Sequence, residues 1–163
     1  MRFYGLTLVA SAIVLGACGG GAADTADTTA AVAPTTEAPA AAAPAGDVAA
    51  APITGTVHEV KMIGDAQGYR FEPADITIKQ GDGIKYVFVS GGPHNVAFPK
   101  TPDAVRAQLN ANIPEKMGEL SSKMMLNPGE EVTVSFANIP AGKYEFDCTP
   151  HLAMGMIGNV TVQ

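Results

Sequence analysis

Tryptophan is absent from this chain, and 163 residues contain only three histidines and two cysteines. So few cysteines exclude a disulfide framework. A bond between Cys18 and Cys148 would tie a leader segment to the last loop, so neither reads as a structural disulfide partner. Basic charge is scarce as well. The formal net charge is −6, and Asp24, Asp27, Glu37 and Asp47 lie in an amino-terminal stretch without Lys or Arg. The remainder is only mildly acidic, which argues against a nucleic-acid partner. The apolar run near the amino terminus is too short to span a bilayer comfortably.

That run has a different use. Arg2, then Leu6-Thr7-Leu8-Val9-Ala10 and Ala12-Ile13-Val14-Leu15-Gly16-Ala17, reads as a secretory signal over residues 1–17. Leu15-Gly16-Ala17-Cys18 resembles the lipobox of bacterial lipoproteins, which implies lipidation of Cys18 as the first mature residue and an exported protein held at a bacterial membrane, in the cell envelope or periplasm. Residues 19–55 are rich in Gly, Ala, Thr and Pro and contain no aromatic residue, as in Ala33-Pro34-Thr35-Thr36-Glu37-Ala38-Pro39. Without large apolar side chains to offset chain entropy, this stretch is expected to be a disordered tether.

From Thr56 the composition changes, leaving about 108 residues for one domain with a modest core. Short alternating runs appear between Gly, Pro and Asn. Val57–Ile63, Tyr69–Phe71, Asp75–Lys79 and Ile84–Val89 are strand candidates, with Val60 and Met62, then Ile84, Tyr86 and Phe88, facing inward. Glu131–Phe136, Lys143–Cys148 and Ile157–Val162 follow. The period of two turns Tyr144, Phe146 and Cys148 inward and Asp147 outward. Thr101-Pro102-Asp103 supplies an N-cap, a proline at the first helical position and an acid in the first turn for one short helix ending before Pro114. Met117, Met124, Met125 and Leu126 read as cover over one end of the core. The pattern as a whole predicts an all-β Greek-key β-sandwich of seven or eight strands over residues 56–163, with that helix in a long connection.

The chemistry concentrates in Cys148-Thr149-Pro150-His151-Leu152-Ala153-Met154-Gly155-Met156. A tight loop there aims a thiolate, an imidazole and a thioether at one point, with Met154 and Met156 both within reach. His94, in Gly91-Gly92-Pro93-His94-Asn95-Val96, sits in a Gly/Pro-rich link after a strand and supplies a second imidazole. Two imidazoles and a thiolate with a weak axial thioether are the donor set of a blue-copper site. A lone buried Cys would read as inert packing, and His58 reads as an ordinary strand residue.

At these residues the chain resembles the cupredoxins, the small blue-copper proteins. Cys148-Thr149-Pro150-His151 with Met156 is similar to the pseudoazurin copper loop. Gly155-Met156-Ile157-Gly158 and Pro93-His94-Asn95-Val96 are similar to plastocyanin, as are Phe71-Glu72-Pro73 and Gly81-Asp82. The resemblance implies one type 1 copper ion held by His94, Cys148, His151 and Met156, the family spacing favouring Met156 over Met154. It implies that Asn95 fixes the two ligand segments to each other. It also implies that His151 is the electron exit, within an apolar patch of Pro93, Pro150, Leu152 and Met154. Asp147 stands where plastocyanins usually carry a tyrosine, and the stretch 99–128 is longer than a compact plastocyanin loop.

The implied function is outer-sphere transfer of single electrons between redox proteins by a monomer. A copper carrier that hands on Cu(I), using Met117, Met124 and Met125, is the alternative. An enzyme of the nitrite reductase or multicopper oxidase kind would need further histidines for additional copper ions.

Overall fold

A computed structural model describes residues 48–163. The expected leader, Cys18 and the tether as far as residue 47 lie outside the described residues. Strands β1 (Val57–Asp65), β2 (Gly68–Glu72), β4 (Gly83–Phe88) and β7 (Glu131–Ser135) form one sheet in the order β2–β1–β4–β7. Strands β3 (Asp75–Ile78), β8 (Gly142–Asp147) and β9 (Ile157–Val162) form the other, in the order β3–β9–β8. The β1–β4 and β3–β9 pairs are parallel, which requires crossings between the sheets. Together with a short hairpin, β5 (Lys116–Gly118) and β6 (Ser121–Ser122), and helix α1 (Asp103–Asn112), this is the expected β-sandwich with one helix in its long connection.

Alternation builds the core. Ile84, Tyr86 and Phe88 are buried, while Lys85 and Val87 between them remain partly exposed. Tyr144 and Phe146 from the opposite sheet meet them, so inward-facing residues of both sheets share one apolar layer. Phe71, Tyr86 and Phe146 pack edge to face, with ring centroids 4.8–6.1 Å apart. Each such burial contributes roughly 2–3 kcal/mol. Within that cluster the Tyr86 hydroxyl is buried with no hydrogen-bond partner among the described residues.

Several local expectations are corrected. Thr101 does not cap α1. Pro102 holds the N-cap position with extended backbone, and the Thr101 hydroxyl donates instead to the carbonyl of Phe98. The cap is lost because the N-cap position falls on Pro102, whose ring has no oxygen to accept from the first-turn N–H groups. The 113–128 stretch covers the core through Ile113, Leu120 and Met125, whereas Met117 and Leu126 are exposed. Asp147 does lie on the face opposite Phe146 and Cys148, yet it is only 3 % exposed. The edge of β8 is paired there, since Ala97 and Asp147 exchange both backbone hydrogen bonds.

Chain packed on the sandwich also begins before Thr56. Ala51 is buried, and its N–H donates to Asn112 Oδ1 at the end of α1. Asn112 Nδ2 in turn donates to the carbonyls of Ser135 and Ala137. The N–H groups of Thr54 and Gly55 both reach the carbonyl of Gly81. Ordinary backbone donors thus find acceptors without help from large side chains, which composition alone does not reveal.

Candidate metal centre

Strand β4 runs from Gly83 to Phe88 and leads into the link that carries His94. Strand β8 runs the same way up the other sheet and delivers Cys148. The two meet because residues 94–98 lie as an extra strand between β8 and the stretch 120–125 that contains β6. His94 exchanges both backbone hydrogen bonds with Met125, Val96 accepts from the Ser122 N–H, and Phe98 donates to Leu120. Asn95 completes the junction. Its Oδ1 accepts from the Thr149 N–H at 2.8 Å, and its Nδ2 donates to Thr149 Oγ1 and Ser121 Oγ. A carboxamide is one of few side chains that can donate and accept simultaneously in this way.

After Cys148 the chain turns through a 3-10 helix, Thr149–Met154, with Pro150 in its first turn. The helix ends on Gly155 at φ 82°, a left-handed conformation that glycine adopts without steric cost. Cys148 N–H donates to the Met156 carbonyl, and Met156 N–H to the His151 carbonyl, so the loop closes on itself. His151 is thereby folded back beside the thiol, and the Met156 backbone beside that of Cys148.

Three donors converge. The reactive atoms of His94, Cys148 and His151 lie within 4.8 Å of one another, and all three residues are buried. Cys148 Sγ is 3.5 Å from His94 Nδ1 and 3.4 Å from His151 Nδ1. Metal–nitrogen bonds of about 2.0–2.1 Å and a metal–sulfur bond of about 2.3 Å, at trigonal angles, separate such donors by roughly 3.7 Å. The two sulfur–nitrogen distances therefore suit ligands of one ion. His94 Nε2 lies 2.9 Å from the Ser90 carbonyl, which only accepts. The proton thus sits on Nε2, and Nδ1 presents its lone pair to the cluster.

Electrostatics agree. Burial pushes both imidazoles toward the neutral, ligating form, and for His151 the neighbouring His94 adds to the effect. Burial also raises the Cys148 thiol, while the backbone amides of Asn95 and His151 act in the opposite direction. A bound cation would reverse that shift, since coordination deprotonates a thiol outright. Asp147 is raised chiefly by burial and further by Glu145.

The remaining expected residues separate clearly. Met156 is fully buried in the core cluster, and Met154 is 60 % exposed. Pro93, Pro150, Leu152 and Met154 are all exposed, as a surface patch requires. His151 itself is only 5 % exposed. His58 pairs with Asp82, away from the cluster. One contact escaped the sequence: Tyr69 of β2 stacks on His151, with ring centroids 3.7 Å apart and planes 15° from parallel. Tyr69 and His151 are far apart in sequence, and nothing short of the sheet topology brings them together. Ser121 was missed for the same reason.

Residues 58–163 match the family model described as copper binding proteins, plastocyanin/azurin family. The chain is 36 % identical over 107 residues to plastocyanin of Nostoc punctiforme, covering 65 % of this chain and 73 % of that protein. It is 39 % identical over 112 residues to chloroplastic plastocyanin of Tetradesmus obliquus, covering 68 % and 70 % respectively. Among solved structures, oxidized plastocyanin from Dryopteris crassirhizoma aligns with a TM-score of 0.50 at 28 % identity, covering 64 % of this chain and 99 % of the fern protein.

Proposed function

The chain belongs to the plastocyanin/azurin family of copper-binding proteins, and from that premise we propose that His94, Cys148, His151 and Met156 hold its copper ion. The protein is a small blue-copper electron carrier acting with redox partner proteins, and not an enzyme. The observation that carries the ligand assignment is the approach of Cys148 Sγ to both imidazole Nδ1 atoms, at 3.5 and 3.4 Å. Bound copper supplies a one-electron Cu(II)/Cu(I) couple. The residues supply the rest. Cys148 offers a thiolate, and Ser90 keeps His94 in the correct tautomer. Asn95 ties the two ligand segments together, and Met156 presents a buried thioether that helps to set the potential. A donor cluster already assembled by hydrogen bonds around it needs little rearrangement when the charge on the ion changes.

Electrons pass at the end of the sandwich that carries His151, through an apolar patch of Pro93, Pro150, Leu152 and Met154; the support is that all four are exposed. The protein works as a monomer. Its leader, residues 1–17, directs export, and lipidated Cys18 holds it to a membrane of the cell envelope through the Ala/Pro/Thr-rich stretch that precedes the packed segment at Ala51. The support for this arrangement is Arg2, the apolar run and Leu15-Gly16-Ala17-Cys18. Loss of radiolabelled palmitate incorporation on Cys18→Ser, with release of the protein into the soluble fraction, is expected. An unchanged label would overturn the anchor.

The central test is addition of Cu(II) to the apo protein. An intense thiolate-to-copper band that bleaches on reduction is expected, together with its loss in Cys148→Ala. A colourless complex would sink the assignment. Copper should remain bound through repeated redox cycles, whereas ready loss of Cu(I) to a weak chelator would favour a carrier that hands on metal.

A further inference from the structure

The two imidazoles of the centre are held by different means. His94 has the Ser90 carbonyl on Nε2 and the Phe88 ring edge-on to it, at a centroid distance of 4.8 Å. His151 presents Nδ1 to Cys148, and among the described residues no hydrogen bond holds its other nitrogen. What it has is Tyr69, stacked at 3.7 Å and 15°. Rotation about the Cβ–Cγ bond of His151 would swing Nδ1 out of the cluster, and a parallel ring in van der Waals contact opposes that rotation directly.

The place of Tyr69 is built rather than incidental. It lies on β2, the edge strand of its sheet, directly opposite Gly64 of β1. A Cβ at Gly64 would fall 2.7 Å from Tyr69 Cε1, so only glycine leaves room for the ring to lie flat over the hairpin. Gly91, in the link that precedes His94, packs its own backbone against Gly64. The seat of Tyr69 and the His94 link therefore share one close backbone contact. Because His151 is 5 % exposed, the tyrosine also covers much of what the imidazole would otherwise present to water.

We propose that Tyr69 is a positioning residue of the metal centre: it does for His151 what the Ser90 hydrogen bond does for His94, fixing the plane of the imidazole so that Nδ1 faces the cluster before any metal arrives. This rests on the copper reading, but its first test needs no metal. In the apo protein, ring protons of His151 should be displaced upfield by the Tyr69 ring current in NMR spectra, relative to those of His58. Absence of that displacement would overturn the proposal. The second test measures Cu(II) affinity by competition in the parent, Tyr69→Phe, Tyr69→Leu and Tyr69→Met. Outer partners of metal ligands typically contribute about 10–100-fold in affinity. The Leu variant, and the Met variant that fills the seat without a ring, should bind about tenfold more weakly. The Phe variant, which keeps the stack, should match the parent. Apo melting temperatures of the folded variants should agree, separating a loss of orientation from a loss of fold. Leu and Met variants that bind as tightly as the parent, or a Phe variant as weak as they are, would overturn the proposal. A parent that formed no coloured complex would defeat the copper reading itself, a failure visible independently of the apo spectrum.

Discussion

At the scale of single residues, burial separates groups that the chain uses from groups that it tolerates. The Tyr86 hydroxyl is tolerated: it is buried, on a ring packed against Phe71 and Phe146, with no partner among the described residues, and burial raises its pKa well above the usual phenol value. An unsatisfied buried hydroxyl costs on the order of 1–3 kcal/mol, and removing it keeps the ring packing. Tyr86→Phe should therefore raise apo stability by about 1 kcal/mol, read as a higher urea midpoint with an unchanged slope. The two loop methionines make the opposite comparison. Met156 is fully buried and Met154 is 60 % exposed, so Met156→Ala should shift the reduction potential and cost stability of roughly 2–5 kcal/mol as a buried truncation. Met154→Ala should leave both nearly unchanged. A potential that moved with Met154 and not with Met156 would reverse the ligand assignment.

At the scale of elements, α1 matters less as a helix than as the carrier of Asn112. That one side chain accepts from the Ala51 N–H and from Gln108, and it donates to two carbonyls that follow β7 or end it. Truncating it strands buried groups on three segments at once. Asn112→Ala should lower apo stability by roughly 2–4 kcal/mol and should speed proteolysis between residues 48 and 55, while leaving the copper band of the loaded protein intact. The sequence announced the principal strands, because their alternation over Ile84–Phe88, Glu131–Ser135 and Tyr144–Cys148 reflects burial of one face and nothing else. It announced Cys148 and His151 as rare donor types at short spacing and His94, one of only three histidines, as the second imidazole, and the three do converge. It did not announce the Asn112 clasp, the Ala97–Asp147 pairing along the edge of β8, or the Tyr69 stack. Each joins segments whose sequence separation hides them, and each depends on which strands become neighbours.

For the whole sandwich, the strand directions place the metal loops at one end and a polar lock at the other. Strands β4 and β8 both exit toward His94 and Cys148, and both begin at the end where Asp82, Phe136 and Ala137 cluster. Asp82 is the lock. It is 6 % exposed, and its carboxylate accepts from the N–H groups of Thr56 and Lys79 and from His58 Nε2, joining the start of β1 to the turn before β4. The Lys79 amide, followed by His58 and the Thr56 amide, depresses its pKa from 3.8 to about 2. A depressed carboxylate pKa stabilises the fold above the unfolded value and loses that contribution as pH falls through the folded one. The contribution is on the order of 2 kcal/mol, fully present above about pH 4–5 and gone below about pH 2. Urea midpoints of the apo protein should therefore fall across that window, and Asp82→Asn should be less stable at neutral pH with a flatter acid limb. Because the lock sits at the far end from His94, Cys148 and His151, the variant should keep the thiolate-to-copper band and the copper affinity of the parent at neutral pH. An acid limb unchanged by Asp82→Asn would assign the acid sensitivity to other carboxylates, and a lost or shifted band would show that the two ends of the sandwich are coupled.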